Sequence, residues 1–269
     1  MLNERAEPIV SGIFALTPAE SKRLIAKAVV RLPEVVAAYA TGRIVVANGT
    51  TNAFVAAELL GKDVPWFNYA AGVICDGLLA ETNKEDRLLP YVFDKGEVVE
   101  VGIRDAVLGC RRHDVFIKGA NAVDPQGNVG IAMADDRGGT IGSSLSVITA
   151  RGAYLVCPVG LEKLVPNVPD AARKCGIYRF QYALGSPVGL MPVSNAKVVT
   201  EIEALRLLTG VAATHVASGG VGGSEGAVVL VAEGNEAQVA STIKLVREIK
   251  EQTKNVEKAG PITWRPVQT

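Results

Sequence analysis

Apolar positions along the chain follow two rhythms, and the switches between them predict its elements. The stretch RIVVANGTTNAFVAAELLG joins a β-branched run to a Gly-Thr-Thr turn and then to small and apolar positions at helical spacing. It predicts a strand, a turn and a helix that begins near Thr50 to Asn52. Upstream, TPAESKRLIAKAVVRL carries helix punctuation: Thr17 suits the N-cap, Pro18 the first helical position, and Glu20 can complete a capping box. Leu24, Ala28 and Leu32 then repeat at helical spacing, Pro33 interrupts, and EVVAAYATG runs on to a glycine stop. Further along, YVFDKGEVVEVGI reads as strand, RDAVLGC as a short helix and DVFIKG as a strand. IAMADDRGGTIG reads as a strand and glycine-rich turn, GSSLSVITAR as a helix, and AYLVCPVG as a buried strand. The segment PWFNYAAGVICDGLLAET mixes strand and loop signals without clear boundaries. Strands alternating with helices over residues 12–174 argue for an α/β, Rossmann-like, mostly parallel sheet with helices on both faces.

The remainder has a different rhythm. GLMPVS reads as a strand, and NAKVVTEIEALRLLTG as a helix capped by Asn195 and stopped by Gly210. ATHVASGG and GAVVLVAEG read as a hairpin, NEAQVASTIKLVREIKEQ as an amphipathic helix, and ITWRP as a last strand. The order β-α-β-β-α-β is the ferredoxin-like plan. The expectation is therefore a Rossmann-like ligand-binding domain over residues 1–185 and a ferredoxin-like α+β domain over 186–269.

Composition narrows the function classes. Lys+Arg and Asp+Glu are 28 each, so there is no net field to attract nucleic acid or an anionic membrane. No apolar run approaches the roughly 20 residues that span a bilayer, and the N-terminal residues do not resemble a signal peptide. The four cysteines (Cys75, Cys110, Cys157, Cys175) are widely spaced in or beside strand-like runs, the pattern of thiols in a reducing cytoplasm. With two histidines, neither a metal nor another bound cofactor is expected; Cys110-Arg-Arg-His113 is read as a strand-edge pair. At 48% hydrophobic residues the chain is expected to self-associate as a homo-oligomer.

Ligands of open parallel sheets bind beyond the carboxyl ends of the strands, and three loops belong there. The first, Asn48-Gly49-Thr50-Thr51-Asn52, offers a glycine, two hydroxyls and the unpaired amides of a helix start. It is neither a Walker loop nor GxGxxG. The second is Lys118-Gly119-Ala120-Asn121 with Asp124. Lys118 suits a phosphate or carboxylate, or, if desolvated, a base or Schiff-base former. Asn121 can donate to a substrate oxygen, although Asn and Asp also close turns, and Pro125-Gln-Gly-Asn128 reads as one. The third, Asp135-Asp136-Arg137-Gly138-Gly139-Thr140, repeats the logic of the first and adds an anion clamp in Arg137. The glycine-rich run at 219–226 sits between two hairpin strands, which argues for a long turn or subunit contact rather than a phosphate cradle.

These motifs resemble the superfamily that contains type A ribose-5-phosphate isomerase, glucosamine-6-phosphate deaminase, CoA-transferases and the LUD lactate-utilisation domain. Gly49-Thr50-Thr51 resembles the isomerase's phosphate-side Gly-Thr-Gly-Ser-Thr turn. Gly119-Ala-Asn-Ala-Val-Asp-Pro125 resembles its Gly-Ala-Asp-Glu-Val-Asp-Pro stretch, and Arg137-Gly138-Gly139 falls where it carries Lys-Gly-Gly. GGTIG, AYLVCPV and LVPNVPDA are similar to a segment of LUD domains. The resemblance implies a small anionic metabolite as partner, a sugar phosphate or an acyl-CoA-like acid, with a CoA ester among the implied substrates.

The departures redirect the chemistry. Moving a proton between sugar carbons needs a carboxylate base, and the family's first acids correspond here to Lys118, Asn121 and Ala122. Only Asp124 of that set remains, and Gly142 stands near where another acid is expected. For a CoA-transferase, Ser224-Glu225-Gly226 faintly resembles Ser-Glu-Asn-Gly, and Glu81 is a second candidate with no motif behind it. The expectation is a cytoplasmic metabolite-binding protein and, as an enzyme, one that is isomerase- or transferase-like. Lys118 then holds the anion or oxyanion, Asp124 takes the proton, and Asn121 orients the substrate. Gly49, Thr50, Thr51, Gly119, Arg137, Gly138, Gly139 and Thr140 complete the binding residues. The alternative is a non-catalytic sensor or assembly subunit that kept the pocket and lost the acids.

Overall fold

A computed structural model describes residues 8–254 and the backbone of 262–263. Its centre is a mixed six-stranded sheet. In spatial order its strands are Lys197–Val199, Tyr154–Pro158, Val115–Ile117, Arg43–Val46, Tyr91–Asp94 and Glu97–Val98. The first four run parallel to their neighbours, and the last two are added antiparallel. The α/β class and the partly parallel sheet therefore agree with the sequence pattern.

Alternation along these short strands decides what lies on each face. Ile44, Val46, Val115, Ile117 and Val156 point into one core with Leu24, Ile25, Phe54 and Leu205 of helices Pro18–Val29, Thr50–Leu60 and Glu201–Thr209. Val45, Phe116, Leu155 and Cys157 point into the other, against Val107, Ile141 and Ile148 of helices Ile103–Leu108 and Gly139–Arg151. A strand buried on both faces leaves no place for a charge except at its ends.

Local punctuation works as the sequence implies. Thr17 and Glu20 form the capping box of the first helix, with Pro18 as its first residue. The unplaced segment after Pro65 contains a hairpin, Gly72–Cys75 with Leu78–Thr82. Its two-residue turn is Asp76-Gly77, both at positive φ (51° and 73°), the geometry that a tight hairpin needs.

The C-terminal third differs from expectation. Gly189–Val193 pairs with Val129–Met133, and Lys197–Val199 extends the central sheet. The hairpin Ala212–Gly219 and Ala227–Gly234 takes Val10–Leu16 as its third strand, while Ile262–Thr263 pairs with Leu78–Thr82. Strands that a ferredoxin-like domain needs in one sheet are thus divided among four sheets, and pairing crosses the 185/186 boundary in each. The local pattern was right for hairpin and helices; which edge each strand completes is a tertiary matter that periodicity does not encode. The helix after Lys197–Val199 begins at Glu201, because Thr200 rather than Asn195 caps it, with Glu203 closing the box. Residues 264–266 of ITWRP lie outside the described residues.

All four cysteines are free thiols, Cys110 and Cys157 buried, Cys75 and Cys175 half-buried. No helix among the described residues is long and apolar enough to cross a membrane.

Tyr69 ties the layers together. It is fully buried, and its hydroxyl donates to Val46 O at 2.5 Å and accepts from Tyr91 N at 2.9 Å. Tyr69→Phe leaves both backbone groups without that partner in a dry environment. It should cost about 1–3 kcal/mol, read as a lower denaturant midpoint at unchanged slope.

Candidate functional site

The ends of the parallel strands gather the first two sequence motifs. Ile117 is the last residue of its strand, and Lys118 follows with its N–H on Val156 O at 3.0 Å. Its side chain turns toward the neighbouring loop, where Nζ donates to Asn48 O at 3.2 Å. Among the described residues no carboxylate lies within ion-pair distance of this ammonium. Burial pushes Lys118 down to about 8; Cys157 opposes that shift and the charge of Lys163 adds to it.

Asn52, one turn into the adjoining helix, is fully buried and spans the two strand ends. Its Nδ2 donates to Ala47 O at 2.7 Å and to Ile117 O at 3.3 Å, while Oδ1 has no hydrogen-bond partner. That oxygen faces Gly119, where an added Cβ would lie 3.4 Å from it. Asn48 is fixed from below by bonds from its Nδ2 to Tyr69 O and Leu88 O. Gly49, expected as a free amide donor, instead donates to Tyr69 O at 2.9 Å. The helix-start amides left without a hydrogen-bond partner among the described residues belong to Thr50, Thr51 and Asn52.

Asn121 and Asp124 have been drawn into scaffolding. Asn121 N donates to Gly130 O and its Oδ1 accepts from Ala132 N at 2.9 Å, so the residue splices one short strand to its partner. Asp124 is 3% exposed. Its oxygens accept from Gln126 N, from Asn128 N and Nδ2, and from Val168 N at 2.9 Å, the first amide of helix Val168–Lys174. Burial raises its carboxyl, but these donors together outweigh that and hold it below the ordinary carboxylate range. A carboxylate so fully engaged closes a turn and starts a helix. Asp124, expected as the proton acceptor, is thus held as an anion by its surroundings.

The third loop stands apart. Arg137 is exposed, and its N–H closes onto Asp135 Oδ1 at 2.9 Å. Gly138 has a positive φ of 81°, and a Cβ on Gly142 would meet Arg137 O at 2.8 Å. The glycines are thus explained by a tight turn into helix Gly139–Arg151. That helix leads into Tyr154–Pro158, so its start faces the edge where the parallel strands end. No hydrogen bond or ion pair among the described residues joins Arg137, Gly138, Gly139 or Thr140 to Lys118, Asn48 or Asn52. Of the transferase candidates, Glu225 is exposed and accepts from Gly223 N, and Glu81 lies 4.0 Å from Arg87.

Sequence reasoning missed Asn52 as a buried polar bridge, and it missed the buried Glu201, whose Oε2 accepts from Leu161 N at 2.9 Å. Glu201 follows Val199-Thr200 at a strand end much as Lys118 follows Ile117, a signal hidden when KVV was read as helix. No group of three or more His, Cys, Asp or Glu side chains suited to a metal ion occurs among the described residues.

No protein-family model matches the chain, and comparison with curated proteins and with solved structures gives no match.

Asp124→Ala strips the partner from several buried donors and should destabilise the fold by about 3 kcal/mol. Because the folded carboxyl is held low, its contribution is present above the unfolded value near 4 and is lost as pH falls through the folded value. Chemical unfolding followed from pH 7 to pH 2 should show the gap between wild type and variant closing on acidification.

Proposed function

We propose that the protein binds a small anionic metabolite, a sugar phosphate or an acyl-CoA-like acid, beyond the ends of its parallel strands. One observation carries this reading: the half-buried Lys118 ammonium has no carboxylate partner among the described residues and donates to Asn48 O at 3.2 Å, in the loop that leads into helix Thr50–Leu60. A desolvated cation next to unpaired helix-start N–H groups favours an incoming carboxylate or phosphate, which restores to both what burial removed. The resemblance to the ribose-5-phosphate isomerase and CoA-transferase superfamily, with a Rossmann-like core, belongs to the same proposal. So does a cytoplasmic, self-associating protein with neither nucleic acid nor membrane as partner.

Two functions share this site. As an enzyme the protein is isomerase- or transferase-like, with Lys118 holding a developing oxyanion. As a sensor or assembly subunit it binds without turnover, a reading favoured by the structural occupation of Asp124.

A thermal-shift screen over sugar phosphates, CoA esters and short hydroxy acids tests the proposal. A ligand at 100 times its Kd should add about 2.7 kcal/mol of stability by mass action. Lys118→Met should remove most of that gain while keeping the hydrophobic stem. Absence of stabilisation by every anion, or equal stabilisation of the variant, overturns the reading. Turnover of a stabilising ligand by wild type separates enzyme from sensor.

A further inference from the structure

The three-stranded sheet of Val10–Leu16, Ala227–Gly234 and Ala212–Gly219 is packed on one face and bare on the other. Residues directly opposite one another on neighbouring strands share a face, so the register sorts them. Leu16, Val228, Leu230 and Ala232 belong to the core that also takes in helices Pro18–Val29, Glu201–Thr209 and Glu236–Thr253. The other face presents two rows of three side chains. Ile13, Val231 and Thr214 stand in register in the first row, and Ala15, Val229 and Ala217 in the second.

Ile13 is 68% exposed, Ala15, Thr214 and Ala217 are exposed too, and none of the six side chains belongs to either hydrophobic core. An antiparallel sheet with one face in water normally alternates apolar residues inward with polar residues outward. Here the outward positions are apolar as well. Glu233, at one end of its strand, is the only Asp, Glu, Lys or Arg in the three strands. Ile9, just before the first strand, and Val221, just after the third, are exposed apolar residues at opposite ends of the sheet.

We propose that this face is where a second copy of the chain docks, sheet against sheet, so that the two bare faces become the dry middle of a β-sandwich. The surface is self-complementary. A two-fold axis between the sheets, running across the strands midway between the rows, sets Ile13 over the partner's Ala15 and Val231 over the partner's Val229. The largest side chain of one row then meets the smallest of the other, and alternating sizes interdigitate. The same axis carries the two copies of Glu233 to opposite ends of the interface, so like charges do not face each other. This inference rests on the self-association proposed above and deepens it by naming the surface.

Other occupants fit less well. Residues 1–7 carry Met1 and Leu2 as their only large apolar side chains, and Ile262–Thr263 at the other end of the chain pairs with Leu78–Thr82 in a different sheet. Pairing along the free edge of Ala212–Gly219 is interrupted by the bulge between His215 and Ala217, a device that blunts an edge. Area sets the strength. With strands about 4.8 Å apart and a rise of about 3.4 Å per residue, three strands of seven residues outline ~340 Å² per copy, against ~800 Å² per partner in a standard interface. Ile9 and Val221 widen that outline, and the dimer is expected to be reversible rather than permanent.

Sedimentation velocity across the micromolar range should show wild-type monomer passing into dimer. Ile13→Lys and Val231→Lys each place an ammonium between the apolar rows and should weaken the dimer about ten-fold or more. Ile74→Lys, at an exposed apolar position of the hairpin Gly72–Cys75 with Leu78–Thr82, is the control and should dimerise like wild type. Unchanged dimerisation of both row variants, or loss in Ile74→Lys alone, overturns this surface and leaves self-association standing. A wild type that stays monomeric overturns both, while the anion screen still decides ligand binding by itself. In wild type, hydroxyl-radical footprinting should show Ile13 losing reactivity as concentration rises, with Ile74 unchanged. Constant reactivity of Ile13 in a sample that dimerises overturns the proposal even if neither row variant folds. Hydrogen-exchange protection gained along Ala212–Gly219 without protection of Ile13 from radicals identifies edge pairing and overturns it too.

Discussion

The demand that the central strands be apolar on both faces governs everything else in this molecule. Each is three to five residues long. Burying a Val, Ile or Phe side chain from either face is worth about 1.5–3 kcal/mol, so a charge in mid-strand would forfeit packing and add a desolvation cost. Polar chemistry is therefore exported to the first or second residue past each strand. Lys118 after Ile117, Asn48 after Ala47 and Glu201 after Thr200 are three instances of one rule. Because the strands are parallel, these exports meet at one edge, where the helices that follow begin.

The carboxyls at this end show how differently a buried acid is treated according to its donors. Asp124 is surrounded by backbone and side-chain N–H groups, so its charge is solvated by protein and the group is an anchor. Glu201 is as deeply buried and accepts from Leu161 N at 2.9 Å, but burial and then the charge of Glu162 outweigh its donors and raise its carboxyl. The first is held toward the anion, and the second is pushed toward the neutral acid.

Much of the fold was legible because local rules sufficed. The capping box at Thr17, the glycine stop at Gly210 and the strand-turn-helix at 43–60 follow from adjacent residues alone. The hairpin at Asp76-Gly77 was obscured because its flanking strands do not alternate cleanly, although the Asp-Gly pair was there to be read. The C-terminal sheet failed for another reason: a strand's partner is chosen by which edge is open, and Gly189–Val193 found its edge in Val129–Met133. Within the site, Lys118 and the Gly49 loop were legible as strand-end chemistry. The unpartnered Oδ1 of Asn52 and the buried Glu201 were not, since both depend on packing between segments 65 and 40 residues apart.

The pairing of Val10–Leu16 with Ala227–Gly234 joins two ends of the chain across more than 200 residues. During synthesis the first strand leaves the ribosome with no partner, at the usual pace of about 5–20 residues per second, and waits tens of seconds for its neighbour. Its exposed edge groups and Ile13 are an aggregation hazard through that interval. Closing so long a loop also places this sheet late on the folding route, after the central strands have found one another. A protein of this topology depends for its yield on how its opening segment is sheltered while the rest of the chain is made.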